Sequence, residues 1–110
     1  MPGPPRPAEE PMPRPAPLSP GEIADRLASL PGWTFADGAL RREFVFADFP
    51  EAFAFMTRVA LAAEKLDHHP EWTNVWSRVS VVLTTHDAGG VTELDFRLAE
   101  VMHRLMRNGD

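Results

Sequence analysis

The sequence predicts an α+β domain: a four-stranded antiparallel sheet covered on one face by three helices, in the order α-β-β-α-β-β-α. Three observations predict it. Two stretches read as pairs of short extended runs around tight turns. Three others carry apolar residues at helical spacing behind recognisable caps. The strands of each pair are joined too closely for a parallel crossover, so they must run antiparallel.

Each element has its own justification. In "SPGEIADRLASLPGW" Ser19 caps a helix, Pro20 suits its first position and Glu22 completes a capping box. Ile23, Leu27 and Leu30 form its apolar stripe, and Pro31-Gly32 end it. In "WTFADGALRREFVFAD" the Asp37-Gly38 pair signals a hairpin between two extended runs. Leu40, Arg42, Phe44 and Phe46 of the second run fall on one face. Asp48 then caps a long helix with Pro50 and Glu51 in its first turn.

That helix has a wide apolar face: Phe49, Phe53, Met56, Ala60 and Ala63, beside Ala52, Phe55, Val59, Ala62 and Leu66. Such a face is expected to lie against the sheet, with Glu51, Arg58 and Lys65 on the wet side. Pro70 disfavours helical geometry at His69, so the helix should stop near Asp67 or His68. "WTNVWSRVSVVLTTH" reads as two strands, with Val79, Val81, Leu83 and Thr85 alternating against Ser80, Val82, Thr84 and His86. A loop spans Asp87 to Gly90. Thr92 caps the last helix, Asp95 takes the acidic capping-box position, and Leu94, Leu98, Val101 and Leu105 make its expected buried stripe.

Composition narrows the function classes. The chain has 110 residues, enough for one core, and 44% of them are apolar. It has no cysteine, which excludes disulfides and thiolate metal sites and suits a reducing compartment. The net charge of −5, with Arg41-Arg42 the only adjacent basic pair in the folded region, argues against a nucleic-acid surface. No apolar run is long enough to cross a bilayer, and the N-terminus lacks the apolar centre of a secretory signal. A cytoplasmic protein is the expectation. Residues 1–18 hold eight prolines and are expected to be a disordered tail, followed by one domain over 19–110.

The residues able to carry chemistry gather at the ends of elements. "EKLDHHPEW", residues 64–72, puts His68 and His69 just past a helix end, with acids on both sides. His86 closes a strand before a loop, and Asp95 starts the last helix. Histidine is the side chain best suited to proton transfer near neutral pH. Each residue also has a plain structural reading. His68 alone could serve the helix dipole, Asp95 could be only a cap, and Trp72 and Trp76 could be strand residues packing a face. His103 reads as a surface or interface residue. A metal held by His68, His86 and a carboxylate lacks the usual ligand spacing. No glycine-rich phosphate loop and no serine or cysteine nucleophile stand out.

Taken together, these positions resemble the pterin-4a-carbinolamine dehydratases, also called 4a-hydroxytetrahydrobiopterin dehydratases. The resemblance rests on Glu64, His68-His69-Pro70, the aromatic Trp76, His86 and Asp95 at their mutual spacing, and on the flanking "LTTHDAGGVTELD". It covers about residues 19–107. Trp76 stands where tyrosine is frequent. The resemblance implies the same fold, a homodimer or homotetramer, a pterin substrate and no metal or organic cofactor. It implies a hydro-lyase that removes water from the hydroxylated pterin left by aromatic amino acid hydroxylases, with a functional link to phenylalanine hydroxylase.

By the same resemblance His69 and His86 form the acid/base pair, while His68 binds the pterin and could act at its hydroxyl. Glu64, Asp67 and Asp95 would orient histidines, and Pro70 belongs to the motif. Trp72 would wall the flat ring. Backbone groups around Thr84, Thr85 and His86 would meet the pterin's amide edge. Two other roles stay open: a pterin function in molybdopterin metabolism, and a dimerisation or binding module without catalysis, as animal relatives show for a homeodomain transcription factor.

Overall fold

A computed structural model describes residues 15–107. Its elements run α1 (Pro20–Leu27), β1 (Thr34–Ala36), β2 (Ala39–Val45), α2 (Phe49–Leu66), β3 (Glu71–Val75), β4 (Arg78–Leu83) and α3 (Glu93–Arg107). The four strands form one antiparallel sheet in the order β1-β2-β4-β3. The predicted α-β-β-α-β-β-α order and the helix-covered sheet are both present.

The local signals explain the boundaries. Ser19 and Glu22 close a reciprocal capping box on α1. Asp48 accepts the Glu51 N–H at 2.9 Å to start α2. Asp37 and Gly38 adopt φ of 51° and 77°, a type I′ turn that matches the twist of the β1–β2 hairpin. The β3–β4 turn is less expected: Trp76 sits there at φ 50°, exposed, instead of in a strand.

Strand parity sorts the sheet's two faces. Leu40, Phe44, Val79, Val81 and Leu83 point to the helices and are buried. Phe55, Val59 and Ala63 of α2, with Phe96, Leu98, Ala99 and Met102 of α3, complete the core. Phe44 is its hub, with ring centroids of Phe55 and Trp33 at 4.7 and 5.9 Å. Arg42 shares this face. Its guanidinium lies 4.3 Å from the Phe44 ring centroid and donates to the Pro31 carbonyl, and burial pushes its pKa down.

Three expectations need correction. The α2 face is only half covered: Ala52, Phe55, Val59 and Ala63 are buried, whereas Phe49, Phe53 and Ala60 are exposed. One 18-residue helix cannot turn both apolar rows to a single sheet. The α3 stripe is rotated: Leu98 is buried, but Leu94, Val101 and Leu105 are only half-buried, and Asp95, Phe96, Ala99 and Met102 face inward. Leu18, assigned to the tail, joins the fold. Its N–H donates to the Val91 carbonyl at 2.8 Å and its side chain packs on the core. The rest of the expected tail, residues 1–14, lies outside the described residues. Among the described residues, no helix is long and apolar enough to cross a membrane.

Candidate active site

The C-terminus of α2 sets the first two histidines. Asp67 adopts the left-handed conformation, φ 51° and ψ 43°, which an aspartate tolerates better than most residues. The His68 N–H then reaches back to the Ala63 carbonyl at 3.1 Å, closing the helix. This tight reversal sends the adjacent rings different ways. His68 turns inward and is 5% exposed, whereas His69 stays on the rim with its side chain 58% exposed. Half-buried Pro70 leads directly into β3.

His86 arrives from the other direction. Beyond β4, Thr85 and Gly90 form an isolated antiparallel bridge, and a 3-10 turn over His86–Ala88 fills the space between them. Gly89 closes the turn at φ 81°, which disfavours any side chain there. The loop holds His86 at its start, with its side chain 78% exposed. His68, His69, Thr84, Thr85, His86 and Asp87 line one cleft of about 180 Å³. The structure therefore brings together the three histidines that the sequence singled out.

Each histidine meets one carboxylate through Nε2. His68 reaches Asp95 at 2.5 Å, His69 reaches Glu64 at 3.0 Å and His86 reaches Glu71 at 2.9 Å. The pairs differ sharply in burial. Asp95 is fully buried and also accepts from the Thr85 hydroxyl and the Thr92 N–H, both at 2.8 Å. Because the Thr85 proton goes to Asp95, the Thr92 hydroxyl must donate to Thr85 Oγ1. Thr92 Oγ1 in turn accepts from the Leu94 N–H. Asp95 is thus both the capping-box acid of α3 and the anchor of His68. A buried network in which every member is satisfied fixes one geometry. The two exposed pairs are looser, since solvent competes with them.

Of the remaining predicted residues, Thr84 and Thr85 line the cleft and the others lie around it. Glu64 stands in the last turn of α2 and meets His69. Asp67 supplies the helix reversal. The Thr84 side chain donates to the Gly38 carbonyl at 3.1 Å and ties the site strand to the β1–β2 turn. The backbone groups of Thr85 are engaged: its N–H with Gly90, its carbonyl with Ala88, Gly89 and Gly90. Trp72 pairs with Val81 on the helix side of the sheet and packs against the core, so it is not part of the cleft lining. Trp76 lies at the opposite end of the β3–β4 hairpin from His86. Among the described residues, no group of three His, Asp or Glu side chains is arranged to hold a metal ion.

Sequence reasoning missed Glu71 as a site residue. An exposed glutamate at a strand start carries no mark of its own. Its partner becomes visible only through pairing: Glu71 faces Val82 across the β3–β4 ladder, four residues before His86.

Comparison with known proteins now decides the family. Residues 16–105 match the family described as pterin 4 alpha carbinolamine dehydratase. The chain belongs to that family. A protein of Rhizorhabdus wittichii, named "Putative pterin-4-alpha-carbinolamine dehydratase", is 58% identical over 91 residues, covering 81% of this chain and 94% of its own. A Chelativorans protein of the same name is 62% identical over 84 residues, covering 74% and 86%. Among solved structures, the transcriptional coactivator/pterin dehydratase of Brucella melitensis superposes with a TM-score of 0.79. It is 48% identical and the match covers 81% of this chain and 97% of that one. Membership of the dehydratase family fits a cleft that gathers three histidines with carboxylate partners.

Proposed function

We propose that this chain is a pterin-4a-carbinolamine dehydratase, a hydro-lyase. The observation that carries the reading is the cleft: two exposed imidazoles, His69 and His86, facing one space beside a third that is locked in place. In the substrate a hydroxyl sits on C4a and a proton on N5. Dehydration breaks the C4a–O bond, transfers one proton to the departing oxygen and removes the N5 proton. The C4a=N5 double bond of the quinonoid dihydropterin forms and water leaves. One acid and one base suffice, and the proton count balances without a redox partner.

His69 and His86 take these two roles. Their Nε2 atoms are held by Glu64 and Glu71, so Nδ1 is the ring nitrogen that exchanges a proton with the substrate. His68, fixed by Asp95, Thr85 and Thr92, binds and orients the pterin. The Thr84 backbone and the His86 N–H meet its amide edge in this reading, since the Thr85 backbone groups and the His86 carbonyl are engaged within the loop. The reading extends to one domain, with Leu18 added to the expected 19–110, that works in the cytoplasm as a homodimer or homotetramer. The exposed Phe49, Phe53 and Leu61 on α2 support self-association. It also places the enzyme after an aromatic amino acid hydroxylase such as phenylalanine hydroxylase, restoring its pterin.

Single variants test the assignment. His69→Ala and His86→Ala should each slow dehydration by about 10²–10⁴-fold at unchanged fold, the usual weight of a positioned acid or base. His68→Ala should act mainly on KM. Near-normal kcat in both His69→Ala and His86→Ala would remove the proposed pair.

A further inference from the structure

The catalytic cleft does not end at His86. A second, larger cleft of about 500 Å³ adjoins it, and Thr84 and His86 line both. Its floor is the sheet face turned away from the helices. Arg41 and Glu71 flank Val82 there, each paired with it in the ladder. One wall is the Asp37–Gly38 turn, the other the Gly89–Gly90 loop. The Thr84–Gly38 hydrogen bond fixes the first wall to the site strand. The Glu71–His86 contact lies at the boundary between the two lobes.

Covalent geometry connects this lobe to the proposed reaction. C4a, N5 and C6 are consecutive atoms of the pterin ring. A histidine that addresses the C4a–N5 edge must therefore lie beside whatever is attached to C6. With the ring in the smaller lobe and His86 at that edge, a C6 substituent passes His86 and enters the larger lobe. We infer that the cleft over Arg41, Val82 and Glu71 is the subsite for the C6 side chain of the pterin, with Arg41 its principal hydrogen-bond donor.

The lining also defines the substituent. Arg41 is anchored through Nε, which donates to the Ala36 carbonyl at 2.9 Å. That bond aims a planar fork of further donors while leaving its terminal nitrogens for a ligand. Glu71 and Asp37 add acceptors. A neutral chain bearing hydroxyls can both donate and accept here. A phosphorylated or carboxylated tail would meet one cation and two carboxylates, so the charge balance is against it. Sequence alone does not suggest this, because Arg41 and Glu71 are thirty positions apart and meet only through β4.

The inference rests on the dehydratase reading, and one experiment separates the two. Freshly generated 4a-hydroxytetrahydropterins carrying a C6 methyl, a C6 polyhydroxylated chain or a phosphorylated form of that chain are assayed with wild type, Arg41→Ala and Val82→Phe. Circular dichroism and melting verify each fold. Wild type should favour the polyhydroxylated substrate in kcat/KM over both others. In Arg41→Ala the polyhydroxyl-to-methyl ratio should fall roughly fivefold, the loss of about one hydrogen bond. Val82→Phe, which fills the floor, should lower the same ratio mainly through KM. Acceleration of all three substrates with a ratio that neither variant changes would overturn the subsite and leave the dehydratase standing. Preference for the phosphorylated chain would overturn the neutral-ligand assignment. No acceleration of any substrate would sink both.

Discussion

Replacing Asp95 by Asn tests the buried anchor of His68, because the substitution alters hydrogen-bond chemistry while hardly changing shape. The wild-type carboxylate takes three donors: His68 Nε2–H on Oδ1, and the Thr85 hydroxyl and Thr92 N–H on Oδ2. Asn keeps one acceptor oxygen and gains an NH2. If the NH2 replaced Oδ2, it would face a backbone N–H that cannot reverse, leaving a buried donor unsatisfied at about 1–3 kcal/mol. The amide should therefore place its NH2 toward His68, whose Nε2 can accept if its proton moves to Nδ1. The residual cost is the weaker, uncharged hydrogen bonding, about 1–2 kcal/mol. For a domain of this size that lowers Tm by roughly 5–15 °C.

Asp95→Ala strands all three donors and should cost about 3–5 kcal/mol, a loss of at least roughly 12 °C. Melting curves give the stability, and long-range ¹⁵N correlation spectra of the imidazole give the tautomer. Asn should lower Tm moderately and switch His68 to the Nδ1–H form. An Asp95→Asn protein melting within about 1 °C of wild type, with His68 still protonated on Nε2, would refute the network as described.

Further outcomes follow from the same geometry. With the C6-methyl substrate, which does not reach the larger lobe, Glu71→Ala should reduce kcat by less than about fivefold with little change in KM, since an exposed pair is worth under about 1 kcal/mol. Glu71→Gln, which keeps a hydrogen bond, should fall between it and wild type. Phe44→Ala, at the aromatic hub of the core, should cost about 3–5 kcal/mol in denaturant melts while activity per folded molecule persists. The Arg26–Glu93 pair, with contacts at 2.7 and 3.1 Å, gives a pH-dependent signal. Arg26 holds the Glu93 pKa below its ordinary 4.5. Its stabilisation is therefore present above that pH and lost as pH falls through the lower, folded-state value. Both groups are partly solvated, so the effect stays under about 1 kcal/mol. The Tm gap between wild type and Glu93→Gln should be constant from neutral pH down to about 5 and close below 4.5.

The strength of the local signals decided what the sequence revealed. Asp37-Gly38, the Ser19–Glu22 box, Asp48 and the chain reversal at Asp67 are self-contained, because each satisfies backbone groups within a few residues. The buried alternation through Val79, Val81, Leu83 and Thr85 is equally direct. The orientation of α3 was not legible. Its sequence holds two overlapping apolar stripes, and nothing local says which one meets the sheet. Tertiary structure chooses: Asp95 must reach His68, so Phe96, Ala99 and Met102 rotate inward with it and Leu94 and Val101 move aside. The direction of Trp72 is likewise set by tertiary structure. Its place beside His68-His69-Pro70 suggests a site wall, but strand parity turns it toward the core with Val81. The three histidines were legible as a group; two of their partners, Glu64 and Asp95, came with them. Glu71 did not, because only the β3–β4 ladder carries it to His86.

The proposed chemistry is removal of water from a 4a-hydroxytetrahydropterin in this cleft through His69 and His86. The most direct test is the ultraviolet decay of freshly generated substrate with wild type and with the His69→Ala/His86→Ala double variant, both verified as folded. Fast decay is expected with wild type and the buffer rate with the double variant. Decay at the buffer rate with wild type, or undiminished decay with the double variant, would contradict it.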